Sequence, residues 1–413
     1  MADSDLRRAM TFDVQAVRAG FPALTRTVGP NLAAYLDGPG GTQVHQSVIT
    51  AMADFMERGG SNTHGPFATS IETTEVVDQA RSAVADLFGA SPNEIVFGQN
   101  MTSLTYAMSR ALARTWAADA NIVVTHLDHD ANVAPWMQAA RSAGVEIRFA
   151  DFDRDAGCDL DLSSLAGLLD ENTALVAFTH ASNATGTVTP VRTIVEMAHA
   201  VGALTYLDAV HYAPHGSIDV KETGTDFLVC SAYKWFGPHT GCLYGKAELL
   251  ETVEPFKLRP APDTSPDSWE TGTQSFESLS GVTAAINYLA SNGKGETRRA
   301  KLVDAFETVG RHEEQLSARF LAGIAEMPSV TLYGRPGSNT RTPTFAIEVE
   351  GISPDVVAQA LADQGIFAWS GNYYAYEVME RLSKPDGLVR IGFVHYNTIE
   401  EVDRVLTALQ ELT

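Results

Sequence analysis

The sequence predicts an α/β protein, with a large domain on a largely parallel sheet and a small C-terminal α+β domain. Three observations carry this expectation. Between about residues 80 and 245, short β-rich runs alternate with helical patterns. After the proline-rich stretch 255–266 the rhythm changes. A chain of 413 residues is also too long for one small core.

In chain order, the predicted strands of the large domain are Glu94–Gly98, Asn121–Thr125, Val145–Ala150, Ala174–Thr179, Ala203–Asp208 and Asp226–Ser231. Each is short and rich in β-formers. Between them, Ala131–Ala143 and Val191–Val201 place apolar residues at helical spacing. Beyond the proline-rich connection, helices are expected over Glu277–Ala290 and from about Thr297 to Met327, with strands near Thr342–Val349, Ile366–Ser370 and Leu388–Phe393. Ser353 and Pro354 open a helix as N-cap and first-turn proline, and Gly365 ends it. Thr398 with Glu401 makes a capping box for the last helix. The expected division is an arm over 1–30, a large domain over 31–275, and a small domain over 276–413 that begins with a linker helix.

Composition excludes some functions. A net charge of −22 without a basic patch argues against nucleic acid and anionic membrane surfaces as partners. No apolar run approaches the roughly 20 residues of a membrane span, and the opening MADSDLRRAMTFD lacks the core of a signal peptide. A cytoplasmic location is the expectation. Cys158, Cys230 and Cys242 are too few and too scattered for a disulfide framework or a metal cluster, so no metal site is expected. Lysine is scarce: there are seven, none before Lys221, so any lysine chemistry has a short list.

In parallel α/β sheets, ligands gather beyond the carboxyl ends of the strands. The informative residues stand there: His129 in HLDHDAN, Asn183 in THASNATGT, Asp208 and His211 in LDAVHYAPHG, and Ser231, Tyr233 and Lys234 in SAYKWFGPHTG. Singly, each has a commoner structural explanation as a turn residue, a cap or a snorkelling surface lysine. Jointly they do not, because Asn183, Asp208 and Lys234 are 25 and 26 residues apart, about one strand–helix unit each. An amine, a carboxylate to face a pyridine nitrogen, a flat ring and the hydroxyls of Thr102 and Ser231 are what pyridoxal 5′-phosphate (PLP) requires.

These motifs resemble the class V aminotransferase family, specifically the cysteine desulfurase-like branch of fold-type I PLP enzymes, from Tyr35 to Thr398. The resemblance implies a mostly parallel seven-stranded sheet in the large domain. It implies Lys234 as the Schiff-base lysine, His129 stacked on the cofactor ring, Asn183 near the ring hydroxyl and Asp208 on the pyridine nitrogen. It gives Met101, Thr102 and Ser231 to the phosphate. It implies that Thr273 in WETGTQS reaches the phosphate of a neighbouring subunit, hence a homodimer with shared sites. It assigns Arg390 in LVRIGF to the substrate carboxylate. His211 stands where a glutamine is common beside the cofactor hydroxyl, and Tyr233 where a histidine lies near the phosphate.

One departure matters most. Desulfurases carry a nucleophilic cysteine on a loop shortly before the arginine strand. Here the stretch from Trp369 to Ala375 has none, and Tyr374 falls at or near that position. The expected reaction is therefore β-elimination of the C–S lyase type on a cysteine-like or other β-substituted amino acid, without a persulfide. Alternatives are an aminotransferase or epimerase, an oxidative or decarboxylating enzyme of secondary metabolism, or a non-catalytic PLP-binding scaffold. The glycine-bearing segments 37–42 and 59–64 are expected at the substrate mouth, with Asn62 and His64 as substrate contacts beside Tyr374. Arg341 is a second carboxylate candidate.

Overall fold

A computed structural model describes residues 12–413; residues 1–11 of the expected arm lie outside the described residues. The main sheet contains β1 (Ile95–Gly98), β2 (Asn121–Thr125), β3 (Glu146–Ala150), β4 (Thr173–Thr179), β5 (Leu204–Asp208), β6 (Phe227–Ser231) and β7 (Gly241–Gly245). Its order is β1-β7-β6-β5-β4-β2-β3. Only β7 runs antiparallel to its neighbours, β1 and β6. That strand is absent from the sequence-based expectation. Its five residues begin and end in glycine, so they read as a turn.

Alternate residues of one strand pack into two separate apolar clusters. In β6, Leu228 and Cys230 join one cluster, while Phe227 and Val229 join the other. Both faces are thus covered by helices, which explains the near-continuous apolar strands. On one face lie α1 (Gln46–Arg58), α2 (Ala68–Phe88), α5 (Val191–Ala200) and α6 (Phe276–Ser291). On the other lie α3 (Met101–Leu112) and α4 (Ala134–Ala143).

The long α7 (Arg298–Ala325) leads to a second, four-stranded sheet of β8 (Val330–Tyr333), β9 (Thr344–Val349), β10 (Trp369–Gly371) and β11 (Leu388–Gly392). Its order is β8-β9-β11-β10, antiparallel throughout. The stretch expected as one strand over 366–370 divides at Ala368. Ile366–Phe367 pairs in parallel with Ala34–Tyr35, and only β10 enters the small sheet. α8 (Pro354–Asp363) and α9 (Ile399–Gln410) cover one face of that sheet. Ser353 holds the N-cap position of α8 without a side-chain cap bond. The capping box of α9 is complete: Thr398 Oγ1 accepts from Glu401 N at 3.3 Å, and Thr398 N donates to Glu401 Oε2 at 3.2 Å. No helix among the described residues is long and apolar enough to cross a membrane.

Candidate active site

Five strand ends of the main sheet converge on one cavity. After β1, Asn100 caps α3: its Oδ1 accepts from Ser103 N at 2.9 Å. This leaves Met101 and Thr102 in the first turn, where helix amides favour an anion. Met101 N donates to Ser231 Oγ at 2.9 Å, tying that turn to the end of β6. Glycine is needed at 241 for this approach, since a Cβ there would lie 2.5 Å from the Asn100 carbonyl carbon. After β2, His129 caps a short turn, its Nδ1 accepting from Ala131 N at 3.0 Å. Burial, with Lys234 and Arg390 nearby, lowers His129 to about 3, so the ring is neutral. After β5, Asp208 accepts from Val210 N at 2.9 Å. Burial raises its carboxyl to about 6.

Lys234 sits on the turn after β6. That turn is gripped by the segment expected at the substrate mouth. Thr42 N donates to Tyr233 O at 3.0 Å, and Thr42 Oγ1 accepts from Phe236 N at 2.8 Å. The Lys234 amine donates to the carbonyl of Pro39. Burial, and next Arg390, lower this amine to about 7, so much of it is neutral near neutral pH.

The cavity of about 360 Å³ is walled by Met101, Thr102, His129, Asn183, Asp208, His211, Ser231, Tyr233 and Lys234, among others. A second cavity of about 780 Å³ shares Thr102, His129, Asn183, Tyr233 and Lys234 with it and continues to Arg390, Tyr373 and Tyr374. Arg390 is 5% exposed. One guanidinium nitrogen donates to Asn183 O at 2.9 Å and the group lies 4.4 Å from the Tyr373 ring centre. Among the described residues its Nε has no partner, nor has the buried Oδ1 of Asn183.

The remaining candidates lie elsewhere. Asn62 and His64 occupy the exposed turn before α2, and Thr273 is exposed in the loop before α6; none of the three lines either cavity. Arg341 lines a separate groove, its guanidinium donating to the carbonyls of Thr185, Arg335, Thr342 and Thr344. Two groups go unassigned in the sequence reading. Asp37, beside Arg390 and Lys234, is raised to about 6 by burial. Asp128, directly before His129, is fully buried and bonded by Thr125 and by Asn132 at 2.7 Å.

The donor set fits a flat anionic pyridine ligand. A helix N-terminus with hydroxyls can meet a phosphate, a buried carboxylate can meet a ring nitrogen, and the unpartnered Oδ1 of Asn183 can accept from a ring hydroxyl. The match of the class V aminotransferase family model to residues 34–405 places the chain in that family, so it is a PLP-dependent enzyme of fold type I. The chain is 32% identical to a cysteine desulfurase of Pectobacterium carotovorum subsp. carotovorum, over 98% of each chain. It is 30% identical to an aminotransferase-like protein of Gibberella zeae, over 97% of this chain and 98% of that one. Its fold is similar to the apo structure of a cysteine desulfurase from Thermococcus onnurineus, with a TM-score of 0.87 and 28% identity over 96% of this chain and 97% of that one.

Proposed function

We propose that the enzyme catalyses β-elimination on a cysteine-like or other β-substituted amino acid, releasing the substituent without capturing it. The observation that carries this reading is a half-buried amine at Lys234, lowered to about 7, in a cavity whose 374 position holds tyrosine. All three cysteines belong to the apolar core, where burial pushes the Cys158 thiol up to about 12 and raises the Cys230 and Cys242 thiols as well.

When bound, PLP supplies the electron sink. In this reading Met101, Thr102, Ser231 and Tyr233 hold its phosphate, and His129, Asn183, Asp208 and His211 surround its ring. Arg390 binds the substrate carboxylate. Lys234 Nζ takes the Cα proton as general base. The bond from Cβ to sulfur or another leaving atom breaks, and the electron pair departs with that atom. Tyr373 donates to the Leu388 carbonyl, whereas Tyr374 is 72% exposed. Tyr374 is therefore the phenol assigned to protonate the leaving atom. The unsaturated amino acid, once released, takes up one water and yields a keto acid and ammonium.

Holoenzyme incubated with an S-substituted cysteine should yield pyruvate and thiol in equal amounts. A keto acid that retains the sulfur, with the amino group left on the cofactor, would overturn elimination in favour of transamination. Transamination is the second reading, consistent with Lys234 as a mobile proton carrier.

The reading includes a homodimer in which Thr273 serves the partner's phosphate, consistent with its exposure outside the cavity of its own chain. Thr273→Ala should weaken PLP binding about tenfold, the scale of one hydrogen bond to a charged group. Equilibrium dialysis together with sedimentation tests this. A monomer with full cofactor affinity would contradict the shared site.

A further inference from the structure

The larger cavity exceeds what a cysteine thiol fills. Its volume, about 780 Å³, is in the range of sites that enclose drug-sized ligands. Arg390 and Lys234 mark where the carboxylate and amine of an amino acid are directed in the reading above. The rest of the wall includes Tyr106, Pro135, Trp369 and Tyr374, and two carboxylates, Asp130 and Asp386. Tyr106 is half-buried, its hydroxyl accepting from Gln138 Nε2 at 2.9 Å.

Charge is unevenly distributed around this space. Lys234 and Arg390 act on His129 and Asp37. Asp130 is half-buried, and its carboxyl is raised by burial and then by Glu377, whose Oε2 lies 2.9 Å from His126 Nδ1. A half-buried carboxylate held by burial beside a second carboxylate gains from a cation. Ring faces of tyrosine and tryptophan gain from the same partner.

We infer that the substrate carries a long substituent on Cβ ending in a basic nitrogen, with that cation held at Asp130 and Asp386 against the rings of Tyr106, Trp369 and Tyr374. This rests on the proposed placement of the carboxylate at Arg390 and the amine at Lys234. It assigns a substrate class: β-substituted amino acids with a cationic tail. If the leaving atom is sulfur, the Cβ–S bond breaks as above and an aminothiol departs.

The test compares two ligands of similar length, S-(2-aminoethyl)-cysteine and S-propyl-cysteine. Holoenzyme is titrated with each, and half-saturation of the cofactor absorbance change is read separately from thiol release. Half-saturation should come at a concentration about fivefold lower for the charged ligand, as one partly exposed cation contact allows. Asp130→Asn should bring the charged ligand toward the neutral one. Equal half-saturation in the native enzyme, or a preference that survives Asp130→Asn combined with Asp386→Asn, overturns the inference. A preference without thiol release sinks elimination and leaves this inference standing. Equal binding with thiol released from both does the reverse.

Discussion

Lys234→Ala should lower turnover by about 10⁴-fold or more, because in the proposed reading one side chain carries both the cofactor linkage and the proton transfer. Burial and then Arg390 lower the amine to about 7, so it is free to react near neutral pH. None of the other six lysines lines either cavity, and three are held in ion pairs. Lys246 pairs with Asp226 at 2.6 Å, Lys257 with Asp263 at 2.7 Å and Lys384 with Glu348 at 2.7 Å. Borohydride treatment of native holoenzyme should therefore fix PLP on the peptide containing Lys234, as read by mass spectrometry. The alanine variant should retain none. Reducible PLP on Lys234→Ala, or turnover within tenfold of native, would remove Lys234 from its assigned role.

Asp208→Asn should slow turnover by about 10²- to 10³-fold, since in the proposed reading Asp208 faces the pyridine nitrogen and an amide cannot hold a proton there as a carboxylate does. The same change should stabilise the cofactor-free protein. Burial raises Asp208 from 3.8 to about 6, so the folded state binds its proton more tightly than the unfolded chain. A group raised in this way contributes stability below pH 4 that is lost as pH rises through 6. At pH 8 the native apoprotein thus carries a buried charge worth up to about 3 kcal/mol, which asparagine removes. Thermal melts of both apoproteins should favour the variant at pH 8, with the gap closing below pH 4. A variant melting below native at pH 8 would count against an ionised, uncompensated Asp208.

Much of this was legible in the sequence because strand ends punctuate it. Asn183, Asp208 and Lys234 recur at one strand–helix interval, and the structure brings them to one cavity. β7 escaped because glycine at both ends hides a strand whose backbone must pass close to Asn100. Arg341 read as a ligand because arginine beside a strand has that look. Its carbonyl partners at Arg335, Thr342 and Thr344 are chain neighbours, but the one at Thr185 comes from a distant loop that no local pattern reveals. Asp130 and Tyr106 were missed for a similar reason. Each lies on an ordinary helical turn, and only the folded chain sets them on one wall with Trp369.

The segment 372–375 is held unusually well for a surface loop. Asp130 N donates to Tyr374 O at 2.7 Å and Asn183 Nδ2 to Tyr373 O at 3.0 Å. Tyr373 and Tyr374 are both left-handed, with φ of 50° and 58°, a costly conformation kept only where the surroundings enforce it. A loop fastened on both carbonyls is a poor courier. It cannot swing cargo outward to a waiting acceptor protein. Under the proposed reading the detached fragment leaves by diffusion, and its fate is set by solution concentration and by whichever enzyme meets it next.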